Sequence, residues 1–158
     1  MRKLYLYILS FFLVISLDSY SQTATTPTIS NSNTSGSVGA KTGSPSDGFD
    51  CTQCHYSVTG NGALITSNIP EDGYIPGELY TINVDITQTG ISKFGFEITS
   101  EESNFGSEKK GTFFVTNSTE TKLVNNNNAI THTSAGTNGA NNMKNWSFNW
   151  ISIIYSLW

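Results

Sequence analysis

Both cysteines of the chain and one of its two histidines lie within five residues, Cys51-Thr52-Gln53-Cys54-His55. If this stretch forms a helical turn, Cys51 and Cys54 lie three residues apart on one face, and His55 follows directly. Two thiols at this spacing can each bond to one vinyl group of haem, while the adjacent imidazole binds the iron from the same side. The pattern therefore predicts covalent haem c, with Cys51, Cys54 and His55 as cofactor-binding residues and His55 as an iron ligand.

Two other chemistries fit the same residue types. A Cys51–Cys54 disulfide would close a very small loop, which is usually strained or redox-active. Zinc could use Cys51, Cys54, His55 and His132, the complete set of cysteines and histidines in the chain. Adjacent Cys54 and His55 are awkward ligands for one tetrahedral ion, however, and the haem interpretation is preferred.

A haem iron held by His55 has a second axial position, and two residues compete for it. His132 falls on the same face as Ile130 in a predicted strand, which predicts His132 as a haem-iron ligand. Met143 is the only methionine besides the initiator. It lies in the Asn-rich stretch 141–145, which resembles a mobile loop, so His132 is the preferred sixth ligand.

The N-terminus indicates export. Arg2 and Lys3 precede an apolar run of 14 residues, Leu4 to Leu17, and small residues follow at 19–21. This is the pattern of a secretory signal peptide over residues 1–21, and the run is shorter than the roughly 20 residues that span a bilayer. The expected location is the periplasm, the cell surface or the extracellular space, with no membrane span after signal cleavage.

The mature chain would contain no arginine, with six lysines against 11 acidic residues. Nucleic acids and anionic lipids attract clustered positive charge, so nucleic acid is not an expected partner. The sequence shows no nucleophile elbow, no glycine-rich phosphate loop and no supported pair of catalytic carboxylates. Glu101-Glu102 has the pattern of a solvated turn. We therefore expect no enzyme.

From about residue 63 the apolar residues recur with a period of two. The alternating positions are 80, 82, 84 and 86, then 94, 96 and 98, and finally 146, 148 and 150. Shorter β candidates lie at 112–115, 122–124 and around 130–132, and no helical stripe is present. Short strands separated by turn signals predict an all-β, immunoglobulin-like sandwich over residues 44–150. Residues 22–43, rich in Ser, Thr and Gly, are expected to be a flexible leader with its last residues ordered against the domain.

Several stretches together resemble one family of exported proteins. "TGSPSDGFDCTQCH", "GYIPGELYTINVDI", "KFGFEITS", "ITHTSAGT" and "WSFNW" occur here in the order found in Reeler-like, choice-of-anchor type V domain proteins of Bacteroidota. Many of these carry a type IX secretion sorting domain. The resemblance covers about residues 42–150. It implies a Reeler-like β-sandwich with the CxxCH segment packed on it, and it matches Cys51, Cys54, His55 and His132 to the haem-type motif and the later-strand histidine.

The last eight residues, 151–158, are apolar and differ from the family pattern after Trp150. We therefore expect a sandwich that is incomplete at the C-terminus. The function expected from residues and resemblance is electron transfer or haem-dependent sensing at the cell surface, with an unknown redox partner or cell-surface ligand. The alternative is an extracellular adhesion or binding module in which Cys51 and Cys54 form a disulfide.

Overall fold

A computed structural model describes residues 33–55, 62–102 and 108–152. Within these ranges the chain forms seven strands in two antiparallel sheets, with two short 3-10 helices, Cys51–Gln53 and Ala135–Thr137. The strands are β1 (Ala63–Ser67), β2 (Leu79–Thr87), β3 (Glu97–Thr99), β4 (Thr112–Phe114), β5 (Thr121–Val124), β6 (Ala129–His132) and β7 (Met143–Ile151). The all-β sandwich prediction is confirmed. The predicted signal peptide (1–21), the first part of the predicted leader (22–32) and most of the predicted tail (153–158) lie outside the described residues.

The larger sheet has the order β1-β2-β7-β4, and its two long central strands have the clearest alternation in the sequence. In β2, Tyr80, Ile82 and Val84 are buried, while the residues between them are only partly buried. Trp146, Phe148 and Trp150 are buried in the same way in β7. The register pairs Val84 with Trp146, Ile82 with Phe148 and Tyr80 with Trp150, so one face of the sheet is apolar along its whole length.

The smaller sheet has the order β3-β6-β5. All four residues of β6 are buried, because a central strand is covered on both faces as well as paired at both edges. The predicted strand over 94–98 is shorter than expected, since only Glu97–Thr99 pairs with β6. Phe94 and Phe96 are nevertheless buried. The apolar alternation therefore predicted which residues are buried correctly, but it predicted the paired residues of the strand only in part.

The two sheets meet at one aromatic core. Phe96 lies 4.7 Å from Trp146 and 5.9 Å from Phe148, measured between ring centroids. The indole Nε1 of Trp146 donates to the carbonyl of Gly136 at 2.9 Å, so its one polar atom is satisfied inside the core. This packing holds Phe96 in place immediately before β3. Phe96 and the residues on either side of it, Gly95 and Glu97, form part of the candidate site.

The expectation of a mobile loop at 141–145 is wrong. Met143, Lys144 and Asn145 are the first residues of β7 and pair with β2. Asn141 and Asn142 form the tight turn before them, with φ of 53° and 64°. Asparagine tolerates this left-handed conformation better than most residues, which is why an Asn-rich stretch can be well ordered. Among the described residues, no helix is long and apolar enough to cross a membrane.

Candidate functional site

The CxxCH segment forms one short 3-10 turn. The amides of Cys54 and His55 both donate to the carbonyl of Cys51, at 3.3 and 3.0 Å. Asp50 caps the turn, because its carboxylate accepts from the amide of Thr52 at 2.8 Å. Hydrogen bonds from the hydroxyl and the amide of Thr52 lower the pKa of Asp50 below its ordinary value. Cys51, Cys54 and His55 are all exposed to solvent.

An ionic cluster anchors the chain immediately before this turn. The ammonium of Lys109 contacts Asp47 at 2.8 Å and Glu101 at 2.5 Å. The Ser44 hydroxyl donates to Glu101 at 2.6 Å, and the Thr42 hydroxyl donates to Asp47 at 2.5 Å. The side chains of both carboxylates are almost completely buried. The expectation that Glu101 lies in a solvated turn is therefore wrong.

The contacts of this cluster shift the pKa values of its two carboxylates. Burial raises the pKa of Glu101, but hydrogen bonds from Lys109, Ser44 and Ser46 outweigh it and lower the pKa to about 2. For Asp47, burial likewise raises the pKa, and the bonds from Lys109 and Thr42 lower it overall. Both carboxylates are therefore charged at neutral pH, and their single ammonium partner holds residues 42–50 against the sandwich.

His132 ends β6 and is held by backbone groups on both sides of its ring. The amide of Phe96 donates to Nδ1 at 3.1 Å, and the Phe96 carbonyl also lies 3.2 Å from Nδ1. Nε2 lies 3.2 Å from the carbonyl of Asn33, in the predicted leader. When Nδ1 accepts from Phe96, the proton is on Nε2 and points to Asn33. The last residues of the predicted leader are therefore packed against the sandwich at this histidine.

Gly95 is a site residue that the sequence analysis did not identify. A Cβ at this position would lie 2.4 Å from Cε1 of His132, so only glycine leaves room for the imidazole. The available signal was the glycine between Phe94 and Phe96, inside an alternating apolar pattern. Such a glycine often marks a close approach of another group to the backbone.

These elements enclose a cavity of about 350 Å³. That volume falls within the range of about 300–1,000 Å³ that is usual for small-molecule sites. Three parts of the chain line it: the end of the predicted leader, the CxxCH turn and the outer edge of the small sheet. The lining residues that matter here are Val38, Lys41, Cys51, Cys54, His55, Lys93, Phe94, Gly95, Phe96, Glu97 and His132.

The cavity thus brings together all four residues that the sequence singled out, Cys51, Cys54, His55 and His132. They come from positions up to 81 residues apart, on two elements that the sequence alone does not place next to each other. Met143, the competing sixth ligand, is not among the lining residues. It lies at the start of β7 and is 44% exposed.

The two cysteines are free thiols in this structure. Partial burial raises the pKa of Cys51, and the nearby carboxylates of Glu97 and Asp50 raise it further. A thiol with a raised pKa is mostly protonated at neutral pH and is a poor redox nucleophile, because the thiolate is the reactive form. The environment of Cys51 is therefore unlike that of a catalytic CxxC pair.

The described side chains do not form a zinc site either. Across residues 33–55, 62–102 and 108–152, no three His, Cys, Asp or Glu side chains are arranged to hold a metal ion. A four-ligand zinc site would require such a group. Haem makes no such demand, because the porphyrin supplies four of the iron's ligands and the protein supplies only the axial ones.

No protein-family model matches the sequence, and no curated protein matches it. Among solved structures, the chain is similar to the human F-spondin reeler domain (fragment 2), with 20% identity over 60% of this chain and 69% of that chain and a TM-score of 0.46. Fragment 1 of the same domain gives 18% identity, coverage of 60% and 66%, and a TM-score of 0.44. The Reelin-N domain of F-spondin gives 21% identity, coverage of 63% and 69%, and a TM-score of 0.46. Likenesses of this degree assign no function to the chain.

Proposed function

We propose that this chain is an exported β-sandwich that carries covalently attached haem c and serves in electron transfer or haem-dependent sensing at the cell surface. One observation carries the proposal. Cys51, Cys54, His55 and His132 line a single cavity, although the first three lie on a peripheral turn and the fourth on a central strand. Aromatic side chains, Phe94 and Phe96, complete the wall. A flat apolar cofactor with two axial ligands suits that combination.

Each residue has a distinct role in this proposal. Cys51 and Cys54 hold the cofactor by thioether bonds, and their exposure leaves them accessible for attachment. His55 is the proximal iron ligand, and His132 is the second axial ligand. The bound haem supplies one-electron chemistry at its iron. The sandwich supplies the fixed position of His132 and the aromatic wall beside it.

Coordination by His132 requires a change of tautomer. Its Nε2 contacts the Asn33 carbonyl in this structure, so that contact must be released before Nε2 can bind a metal. The proton would then belong on Nδ1, where the Phe96 carbonyl lies 3.2 Å away as an acceptor, and the Phe96 amide would lose the ring acceptor that it has now. Metal-binding histidines generally donate their second ring N–H to such a group. The present hydrogen bonds are those of a structural histidine, and iron binding by His132 would require both ring nitrogens to change partners.

A second candidate function is a binding or adhesion module without haem. Large apolar side chains are exposed along β1, in the turn before β2 and at the first residue of β2: Leu64, Ile65, Tyr74, Ile75 and Leu79. β1 is an edge strand, and all of its residues are exposed. Exposed apolar surface of this kind is typical of interaction sites. The same surface can coexist with haem, so the cofactor test decides whether the chain carries haem and leaves binding at this surface to a separate measurement.

The test is expression of the full chain, with its export signal, together with machinery for cytochrome c maturation. We expect haem staining on a denaturing gel and a pyridine haemochrome spectrum of thioether-linked haem. Cys51→Ser and Cys54→Ser should each weaken staining, and the double variant should abolish it. Gln53→Ala is the matched control, because Gln53 lies between the two cysteines and is exposed.

The same preparation tests the second axial ligand. With two imidazole ligands the oxidised spectrum should be low-spin. His132→Ala should make it high-spin, because Met143 lies away from the cavity lining and cannot replace the imidazole. An unstained wild-type chain would contradict the haem proposal. A low-spin spectrum retained in His132→Ala would contradict the role of His132 alone.

A further inference from the structure

Glu97 is the unexplained charged group of the cavity. It begins β3 and lines the cavity, and both of its carboxylate oxygens are buried. Neither oxygen has a hydrogen-bond partner among the residues that the structure describes. A buried acceptor without a donor costs about 1–3 kcal/mol, and more when it is charged. Such groups are rare in folded proteins, and they usually point to a ligand, water or functional partner.

The other donors of the cavity already have contacts of their own, although one contact does not use all three N–H groups of an ammonium. The Lys41 ammonium lies 4.5 Å from the centre of an aromatic ring. The Lys93 ammonium donates to an asparagine side chain at 3.0 Å. Both ring nitrogens of His132 contact backbone groups. The His55 imidazole is exposed, makes no hydrogen bond to another described residue, and lines the same cavity as the buried Glu97 oxygens.

We propose that Glu97 accepts the hydrogen bond of the His55 ring nitrogen that does not bind iron, and so orients His55 as an axial ligand. The inference rests on the proposed haem attachment and adds the residue that positions its proximal ligand. A ligating imidazole needs an acceptor for its second N–H, and carboxylates often fill that role. Glu97 has a free acceptor in the same cavity, on a strand that the core holds in place.

This partnership has an electrochemical consequence. A carboxylate hydrogen-bonded to an axial imidazole makes the ring a stronger electron donor and favours the oxidised iron. Loss of that carboxylate should therefore raise the reduction potential. Glu97→Gln retains an acceptor oxygen without the charge, whereas Glu97→Leu removes both. The rise in potential should accordingly be larger for Glu97→Leu than for Glu97→Gln.

The experiment compares these two variants with Glu78→Gln, which removes an exposed carboxylate outside the cavity lining. Reduction potentials are measured on the haem-loaded full chain. Thermal unfolding is measured both on that form and on the haem-free Cys51→Ser/Cys54→Ser background. We expect Glu97→Leu to lower the melting temperature of the loaded form and to leave that of the haem-free form unchanged or raised, since its oxygens lack partners there.

The outcomes separate the two proposals. Equal potentials in the Glu97 and Glu78 variants of a haem-stained protein would overturn the role of Glu97 and leave haem attachment intact. Equal losses of stability in the loaded and haem-free forms would also overturn it, because they would mark Glu97 as a structural residue only. A wild-type chain that does not stain for haem would overturn both. If Glu97→Leu fails to fold, the near-isosteric Glu97→Gln still decides the shift in potential.

Discussion

The sandwich core and the segment that carries the CxxCH turn, residues 33–55, are stabilised by different interactions. In the core, Ile130, Trp146 and Phe148 are completely buried. In residues 33–55, Gly36 is the only residue that is buried as a whole, although the Asp47 side chain is covered, and no residue of the 3-10 turn is buried. The core is stabilised by removal of apolar surface from water, whereas the segment depends on hydrogen bonds and one ionic cluster.

The difference separates stability from function. The core supplies the free energy of folding and fixes His132, Phe96 and Glu97 in place. The segment contributes little buried area, so it can open locally at a lower free energy than global unfolding. The proposed attachment of haem to two cysteines would require access to them, and a segment held by a few polar contacts would provide it. Substitutions in the core and at the contacts of the segment test this contrast.

The largest effect is expected in the core. Trp146→Ala removes a fully buried indole and leaves the Gly136 carbonyl without its donor. We expect a loss of about 3–5 kcal/mol in the free energy of unfolding, measured by chemical denaturation. Met143→Ala on the same strand is the control, because Met143 is 44% exposed and should cost far less. Similar losses in the two variants would mean that β7 does not form the core.

The next effect is expected in the ionic cluster. Lys109→Met leaves Asp47 and Glu101 buried and charged without their shared cation. We expect a loss of about 1–3 kcal/mol, confined largely to the segment, with faster amide hydrogen exchange over residues 42–50. Lys144→Met breaks a more exposed ion pair with Glu120 and should leave exchange in the segment unchanged. Unchanged exchange in Lys109→Met would show that the cluster does not anchor the segment.

Acid should weaken the same contact. The pKa of Glu101 is about 2 in the folded chain, below its ordinary value of 4.5. Its contribution to stability is therefore complete above about pH 5 and is lost as the pH falls through 4.5 towards 2. The lowered pKa of Asp47 acts in the same direction. Hydrogen exchange over 42–50 should accelerate between pH 5 and pH 3, after correction for its intrinsic pH dependence. Glu101→Gln should flatten that change, and an identical profile in this variant would exclude Glu101 as its source.

The smallest effect is expected where the predicted leader contacts β6. The Thr131 hydroxyl accepts from the Ser37 amide at 3.2 Å and donates to the Phe96 carbonyl. Thr131→Val keeps the shape and removes these bonds, so we expect a loss of about 1 kcal/mol and faster exchange over 33–37. Thr121→Val is the matched control, since Thr121 is also buried and bonds only within its own turn. Equal exchange over 33–37 in the two variants would contradict this attachment.

The strands of the larger sheet could be predicted because their signal is local. Alternating residues of a strand point to opposite faces, so the apolar period at 80–84 and 146–150 reports burial directly. The same reasoning failed at Met143–Asn145, where composition indicated a loop and pairing with β2 formed a strand. It was incomplete at 94–98, where Phe94 and Phe96 are buried without belonging to β3.

The sequence by itself determined the all-β class and the buried faces of β2 and β7, and it singled out Cys51, Cys54, His55 and His132 as candidate cofactor-binding residues. Only the tertiary structure decided that those four residues share one cavity, that Gly95 makes room for the His132 ring, and that the Glu97 oxygens have no hydrogen-bond partner in the described part of the chain. It also decided that Glu101 is a buried anchor, because its contacts to Ser44 and Ser46 span 57 and 55 residues. Periodicity is a property of neighbouring residues, whereas cavities and ion pairs depend on which distant segments the packed core brings together.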